Sequence, residues 1–182
     1  MRHIALVLIA LTATARAEPD ADDEDQYFAS FPKVSIAAGA SGRSTRIDGK
    51  ADSGATAVLE LAYGRGRWQY FLEGNLGVTN LQTTMTTSIS GRFERAALGM
   101  RWLARQFIPF DPLGVELYLR GAIGVEDHRF VDDTRVSRPD LDVGLSFAAR
   151  SFRRAHVFTR FDIDMVFARG DTGITAGMVL GW

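Results

Sequence analysis

From Lys33 to Trp182 the apolar residues recur at every second position, and this period limits the chain's possible folds more than any other feature. Successive side chains of a strand point to opposite faces, whereas a helix needs an apolar residue every third or fourth position. The clearest run is 114 to 126, where Val115, Leu117, Leu119, Ile123 and Val125 oppose Glu116, Tyr118, Arg120, Gly124 and Glu126. Comparable runs cover 33 to 41, 55 to 63, 67 to 79, 92 to 103, 140 to 151, 156 to 167 and 173 to 182. Eight consecutive strands with no helical stretch between them predict an all-β, antiparallel up-and-down meander.

The connections predict two different ends. Long segments follow the first, third, fifth and seventh runs, at 42–54, 80–91, 127–139 and 168–172; short ones, 64–66 and 152–155, follow the second and sixth. Residues 104–113 are apolar and twice interrupted by proline, which reads as a packed turn dipping into an interface. In a membrane barrel the long loops lie outside and the short turns face the periplasm, with both termini.

Alternation alone does not say whether the apolar face points into a core or out into lipid. The opposite face answers it, because charges of both signs sit deep within strands: Glu73, Arg95, Arg101, Glu116, Arg120, Glu126, Asp142, Arg150, Arg160, Asp162 and Asp164. A lipid-facing arginine near the midplane costs roughly 2 to 4 kcal/mol, whereas inside a barrel Arg120 can find Glu116 or a neighbouring strand's carboxylate. The same face is rich in glycine, which suits the cramped interior of an eight-stranded barrel. All three tryptophans, Trp68, Trp102 and Trp182, share the apolar parity and one end, and with Tyr63 they form half of an aromatic girdle at a membrane interface. The fold expected is an eight-stranded antiparallel up-and-down transmembrane β-barrel over residues 33–182.

Ahead of the barrel, Met1-Arg2-His3, the apolar run Ile4 to Leu11 and Ala15-Arg16-Ala17 have the form of a cleaved secretory signal, residues 1–17. Residues 18–32 follow as a flexible leader, with six carboxylates among positions 18 to 25. Without the signal the chain carries nineteen basic and twenty-two acidic side chains, so no basic field suggests nucleic acid. There is no cysteine, which removes disulfides, thiolate metal sites and thiol nucleophiles, and no cofactor motif or calcium-loop spacing is present.

The last eight residues, Thr175-Ala176-Gly177-Met178-Val179-Leu180-Gly181-Trp182, resemble the C-terminal signal of bacterial outer-membrane barrels. The resemblance implies that the barrel-assembly machinery reads Thr175, Gly177, Leu180 and Trp182, although Trp stands where Phe is commoner and Leu180 where an aromatic is frequent. The whole of 33–182 resembles OmpA- and OmpX-type barrels, implying residence among outer-membrane lipids and outer loops that meet an unidentified extracellular partner.

Catalytic readings are weaker than structural ones. His156 shares a face with Arg160, Asp162 and Asp164, but Asp162 lies six residues on, ~20 Å along a strand. His128 sits among acids in an expected outer loop, where rim proteases place His and Asp, yet those resemble ten-stranded barrels. The His-x-Ser pattern of lipid A deacylases is absent. Arg169-Gly170-Asp171 matches an integrin-binding tripeptide, and Gly-Asp also suits a hairpin. The expectation is a structural or surface-interaction protein with a side-chain-filled lumen and no catalytic site. The alternative is a transporter of small apolar molecules resembling OmpW-type barrels, using lumen residues Val58, Phe71, Phe158 and Val179; a lipid-modifying enzyme or protease ranks third.

Overall fold

The computed structural model describes residues 34–182 apart from 66, 85, 111–112 and 152–156; of 65, 107–110, 113 and 151 it describes the backbone alone. The expected signal 1–17, the leader 18–32 and His156 lie outside the described residues. Eight strands follow in chain order: β1 Val34–Ile47, β2 Lys50–Arg65, β3 Trp68–Gln82, β4 Ser88–Phe110, β5 Leu113–Phe130, β6 Arg135–Ser151, β7 Phe158–Ala168 and β8 Asp171–Gly181. Each pairs antiparallel with the next, and β8 pairs with β1, so the sheet closes as an eight-stranded barrel. Closure removes the unpaired edge that would otherwise leave backbone groups unsatisfied in lipid.

The alternating pattern sorts residues as the period requires. In β7 every second residue, Phe158, Arg160, Asp162, Asp164, Val166 and Ala168, is buried, while Phe161, Ile163 and Met165 are exposed. The barrel is inverted relative to a water-soluble one, with Arg101, Glu116 and Glu126 fully buried and Leu59, Leu76, Leu98 and Ile123 more than half exposed. An outward surface of Leu, Ile, Val and Met around a charged interior is the arrangement of a barrel set in lipid.

The expected long loops do not exist as loops. β1 and β2 run through 42–54 and meet at a two-residue turn, Asp48-Gly49, and β7 and β8 meet at Arg169-Gly170. Both pairs have positive φ (50° and 78°, 43° and 90°), the left-handed geometry that matches strand twist in a tight hairpin and favours glycine second. The expected loops 80–91 and 127–139 likewise shrink to the short connections after Gln82 and Phe130. These segments escape an alternation test because their outward residues, such as Ser44, Arg46 and Ser53, are as polar as many inward ones. They stay in strands because Ile47, Leu81 and Phe130 bury each other inside, with Ile89 and Val136 packed against them, forming a small apolar core within the hairpin end.

Segment 104–113 is also mostly strand. β4 continues to Phe110 opposite β5, with register shifts between Leu103 and Arg105 and between Phe107 and Phe110. The second shift spans Pro109, whose missing N–H a bulge tolerates.

Candidate functional site: the lumen network and its two ends

All eleven charged residues picked out by their inward parity have buried side chains in the lumen. Of the partners open to Arg120, Glu116 on its own strand or a carboxylate on another, the structure has the second. Four residues along one strand separate Cα atoms by about 13 Å, while the curvature of a narrow barrel turns strands two places apart toward each other inside it. Arg120 instead reaches across to Glu73 at 2.6 Å and to Asp164. Glu116 accepts from Tyr118 Oη at 2.8 Å and lies 3.4 Å from Arg150 Nε.

The network is layered along the barrel axis. Nearest the terminal end is the group around Glu116. Next, Glu60 receives both Arg101 and Arg160, the latter through two bonds of 3.0 and 2.7 Å, and Arg160 also holds Asp162. Farther along, Arg95 divides its three nitrogens among Asp140, Glu73 and Asp142 at 2.5, 3.0 and 2.6 Å. Toward the hairpins, Glu126 takes Arg43 at 3.0 Å and Arg138, and Asp52 accepts from Thr79.

Aromatic rings underlie the guanidiniums. Arg101 and Arg120 lie over Phe71 at 4.0 and 4.8 Å, Arg150 lies over Phe158 at 4.8 Å, and Arg43 over Phe93 at 3.9 Å. A desolvated arginine gains from the ring's negative face, so the phenylalanines act as neutral partners for cations whose carboxylates are shared.

Glu60, Arg43, Asp52, Arg138 and Asp140 belong to this network but escaped the sequence reading. Asp140 and Glu60 had the inward parity in recognised runs and were legible from it. Arg43, Asp52 and Arg138 fall in segments read as loops, so their parity had no strand to refer to.

His128 is in β5, not in a loop, and its ring is completely buried between Phe93 and Phe130, with centroids 5.1 and 6.1 Å away. Its Nε2 stands 3.4 Å from Glu126 and its Nδ1 3.8 Å from Asp52, at and beyond the edge of hydrogen bonding. Sealed in this way, the imidazole is out of reach of an external substrate. Asp171 opens β8 rather than a loop tip; its carboxylate accepts from the backbone N–H of Asp48 at 2.9 Å and of Gly49 at 3.3 Å, and from Arg138 at 3.0 Å. The Arg169-Gly170-Asp171 tripeptide therefore has its acidic member engaged in holding a neighbouring hairpin.

The outward aromatics gather at the terminal end. Trp68 and Trp102 are direct partners across β3 and β4, and Tyr63 faces Tyr70 across β2 and β3. Trp182 is exposed, and its backbone N–H and C=O both bond to Ile36 of β1, at 3.1 and 3.0 Å. Of the four residues in the C-terminal pattern, Leu180 and Trp182 point outward, while Thr175 and Gly177 lie on the inward parity, with Gly177 opposite Ser41 of β1.

No protein-family description matches the sequence, and no curated protein matches it. Among solved structures, Neisserial surface protein A is similar with a TM-score of 0.55 at 8% identity, over 82% of this chain and 96% of that one. The chain has the fold of a bacterial outer-membrane barrel. The attachment invasion locus protein Ail of Yersinia pestis aligns over 81% of this chain and 95% of its own at 14% identity and a TM-score of 0.45. The N-terminal barrel domain of Pseudomonas aeruginosa OprF aligns over 81% and 97% at 9% identity and a TM-score of 0.38.

Within that fold the described residues pack the interior at three levels. Phe158 packs with Ala37, Val58 and Val179, and Phe71 with Ala62, Ala97 and Ala122. The ionic layers follow, and Ile47, Leu81 and Phe130 close the hairpin end. Among the described residues the lumen keeps a cavity of about 40 Å³, bordered by Val58 and Val179 as well as by Glu73, Arg95 and Arg120.

Proposed function

We propose that this protein is a non-conducting outer-membrane barrel that works through the strand ends and hairpins projecting from one side of the membrane. The observation that carries this reading is the closed lumen: aromatic residues at one end, shared ion pairs in the middle and an apolar cluster at the other. The hairpin end is taken as the outside, since β1 to β6 continue past the apolar belt there as paired strands. Paired strands hold their tips in fixed positions, as a recognition surface requires. The exposed tips, with Val131, Asp132 and Asp133 after β5 and Thr84, Thr86 and Thr87 after β3, are where an extracellular partner would dock.

The outward Leu, Ile and Val residues would contact outer-membrane lipid, with Tyr63, Trp68, Trp102 and Trp182 anchoring the periplasmic interface. Residues 1–17 would direct export, 18–32 would remain as a periplasmic leader, and Thr175, Gly177, Leu180 and Trp182 would be read by the barrel-assembly machinery. Among the described residues, the packing of Val58, Phe158 and Val179 against one another and of Phe71 beneath two arginines weighs against transport of small apolar molecules.

Planar-bilayer recording on refolded protein tests the reading. The expected result is no unitary conductance from the unaltered barrel, nor from Phe130→Ala, in which the ion-pair layers still fill the middle of the lumen. Steady unitary currents from the unaltered protein would overturn it.

A further inference from the structure

Three arginines stand side by side on the outer wall near the hairpins. Arg92 of β4 is the direct cross-strand partner of Arg129 of β5, and Arg129 that of Arg135 of β6. All three point outward and are exposed, the Arg129 and Arg135 side chains by 54% and 62%. Partners so placed have Cβ atoms about 5 Å apart, and like charges directly opposite one another are destabilising. A row of three calls for an anion.

The protein's own carboxylates meet only part of that need. One step down each strand, toward the apolar belt, Glu94 and Asp127 are partners in the same way. Asp127 accepts from Nε of Arg129 and of Arg135, each at 2.8 Å, and Glu94 lies 4.0 Å from Arg129 Nη2. Arg135 keeps both terminal nitrogens without a protein partner among the described residues, and Arg92 has no hydrogen bond or ion pair among them. Three cations against two carboxylates leave one positive charge on this flank. Asp132 and Asp133 stand farther out, at the turn between β5 and β6, where Asp132 accepts from the Thr134 N–H at 3.1 Å.

Height selects the anion. Arg92 is also the partner of Val78 in β3, the last apolar residue on that strand's outward side. The row therefore begins at the rim of the apolar belt. Strand tilt in an eight-stranded barrel lifts it by about 3 Å per strand, so that it rises about 6 Å toward Arg135. A lipid headgroup layer is about 5 to 8 Å deep and starts at the same rim. Guanidiniums take phosphate oxygens in pairs, and Arg129 and Arg135 are already oriented by the carboxylate they share. A lipid whose phosphate rests on the row lays its chains on Val78, Leu98, Ile123 and Val125 below, all exposed. A soluble anion gains only the first of these contacts.

We propose that Arg92, Arg129 and Arg135 form a docking site for the phosphate of one lipid headgroup in the leaflet at the hairpin end. The site rests on the barrel's place in a membrane and is independent of whether the lumen conducts.

The test uses the full barrel refolded in dodecyl maltoside, immobilised and mixed with dimyristoyl phosphatidic acid, whose headgroup is a bare phosphate, or with dimyristoyl phosphatidylcholine. Lipid kept after detergent washing is counted. The expected result is at least a tenfold preference for phosphatidic acid, saturating near one per chain and not displaced by a tenfold excess of inorganic phosphate. Arg92→Gln and Arg129→Gln should each lower retention at least fivefold, while Arg46→Gln, which removes an exposed arginine of β1 outside the row, should leave it unchanged. Equal retention of the two lipids would overturn the proposal, as would retention that survives both substitutions in the row or falls equally with Arg46→Gln. Displacement by inorganic phosphate would make the row a site for a free ion, and arginine-dependent capture of heparin without retention of phosphatidic acid would make it a glycan site; either would overturn the lipid assignment. The preference is read first on the unaltered protein, so a variant that fails to fold does not remove the test.

Discussion

The Arg120 guanidinium in β5 meets the Glu73 carboxylate in β3 at 2.6 Å, across the lumen and past the whole of β4. Arg95 of the adjoining β4 shares the same carboxylate through its other oxygen at 3.0 Å, so a single glutamate ties its own strand to the next two around the barrel. Removing Arg120 takes from the buried Asp164 its arginine and leaves Glu73 with Arg95 and Asn75. Arg120→Leu should destabilise the barrel by about 3 to 5 kcal/mol, against on the order of 1 kcal/mol for Leu119→Ala on the outward face. Urea unfolding of the two variants in micelles checks the order. A smaller loss for Arg120→Leu would mean that water already reaches the pair.

Asp171 joins the last hairpin to the first by accepting from the backbone N–H groups of Asp48 and Gly49. Asp171→Ala should leave the barrel folded but speed hydrogen exchange at those two amides at least tenfold, about 1.4 kcal/mol of local opening, within the ~1 to 3 kcal/mol of a charge-assisted bond. Unchanged exchange would show that the left-handed turn holds itself.

Trp182 makes two separable contributions: a backbone bonded to Ile36 and an exposed indole. Trp182→Ala keeps the first and removes the second. Insertion in cells should fall markedly, while stability in micelles should drop by less than about 1 kcal/mol, the indole being held by the interface rather than by protein. If both fall together, the side chain is chiefly a packing element. If neither falls, the resemblance of residues 175 to 182 to an assembly signal is accidental.

Asp127 lies beyond the apolar belt on the outer face, and its carboxyl is held below the usual aspartate range, first by the hydrogen bond from Arg135 and then by Arg129, each at 2.8 Å. A lowered folded value stabilises the fold above the unfolded pKa, and that stability is lost as pH falls through the folded value. Both arginines are more than half exposed, so the contribution is under ~1 kcal/mol. Carboxyl-carbon NMR should place the Asp127 midpoint below that of an unfolded peptide and move it upward in Arg135→Ala. An Asp127 midpoint that Arg135→Ala leaves in place would contradict this.

The sequence by itself determined strand number, antiparallel order and the assignment of faces. These follow from a two-residue period and from the cost of placing Arg101, Arg120 or Arg160 in lipid, both local properties. Tertiary structure decided where the strands stop and which charges meet. In 42–54 and 127–139 the outward side is polar like much of the inward side, so the period vanishes although Arg43, Asp52 and Arg138 still point inward. Ion-pair partners such as Arg120 and Glu73 are 47 positions apart. Their meeting depends on barrel closure and on the register between strands, which set the distance across the lumen and which no single strand contains. His128 and Asp171 show the same division: as residues in a polar stretch they read as loop chemistry, and only the extension of β5 and β8 turned one into a sealed core residue and the other into the clasp of a neighbouring hairpin.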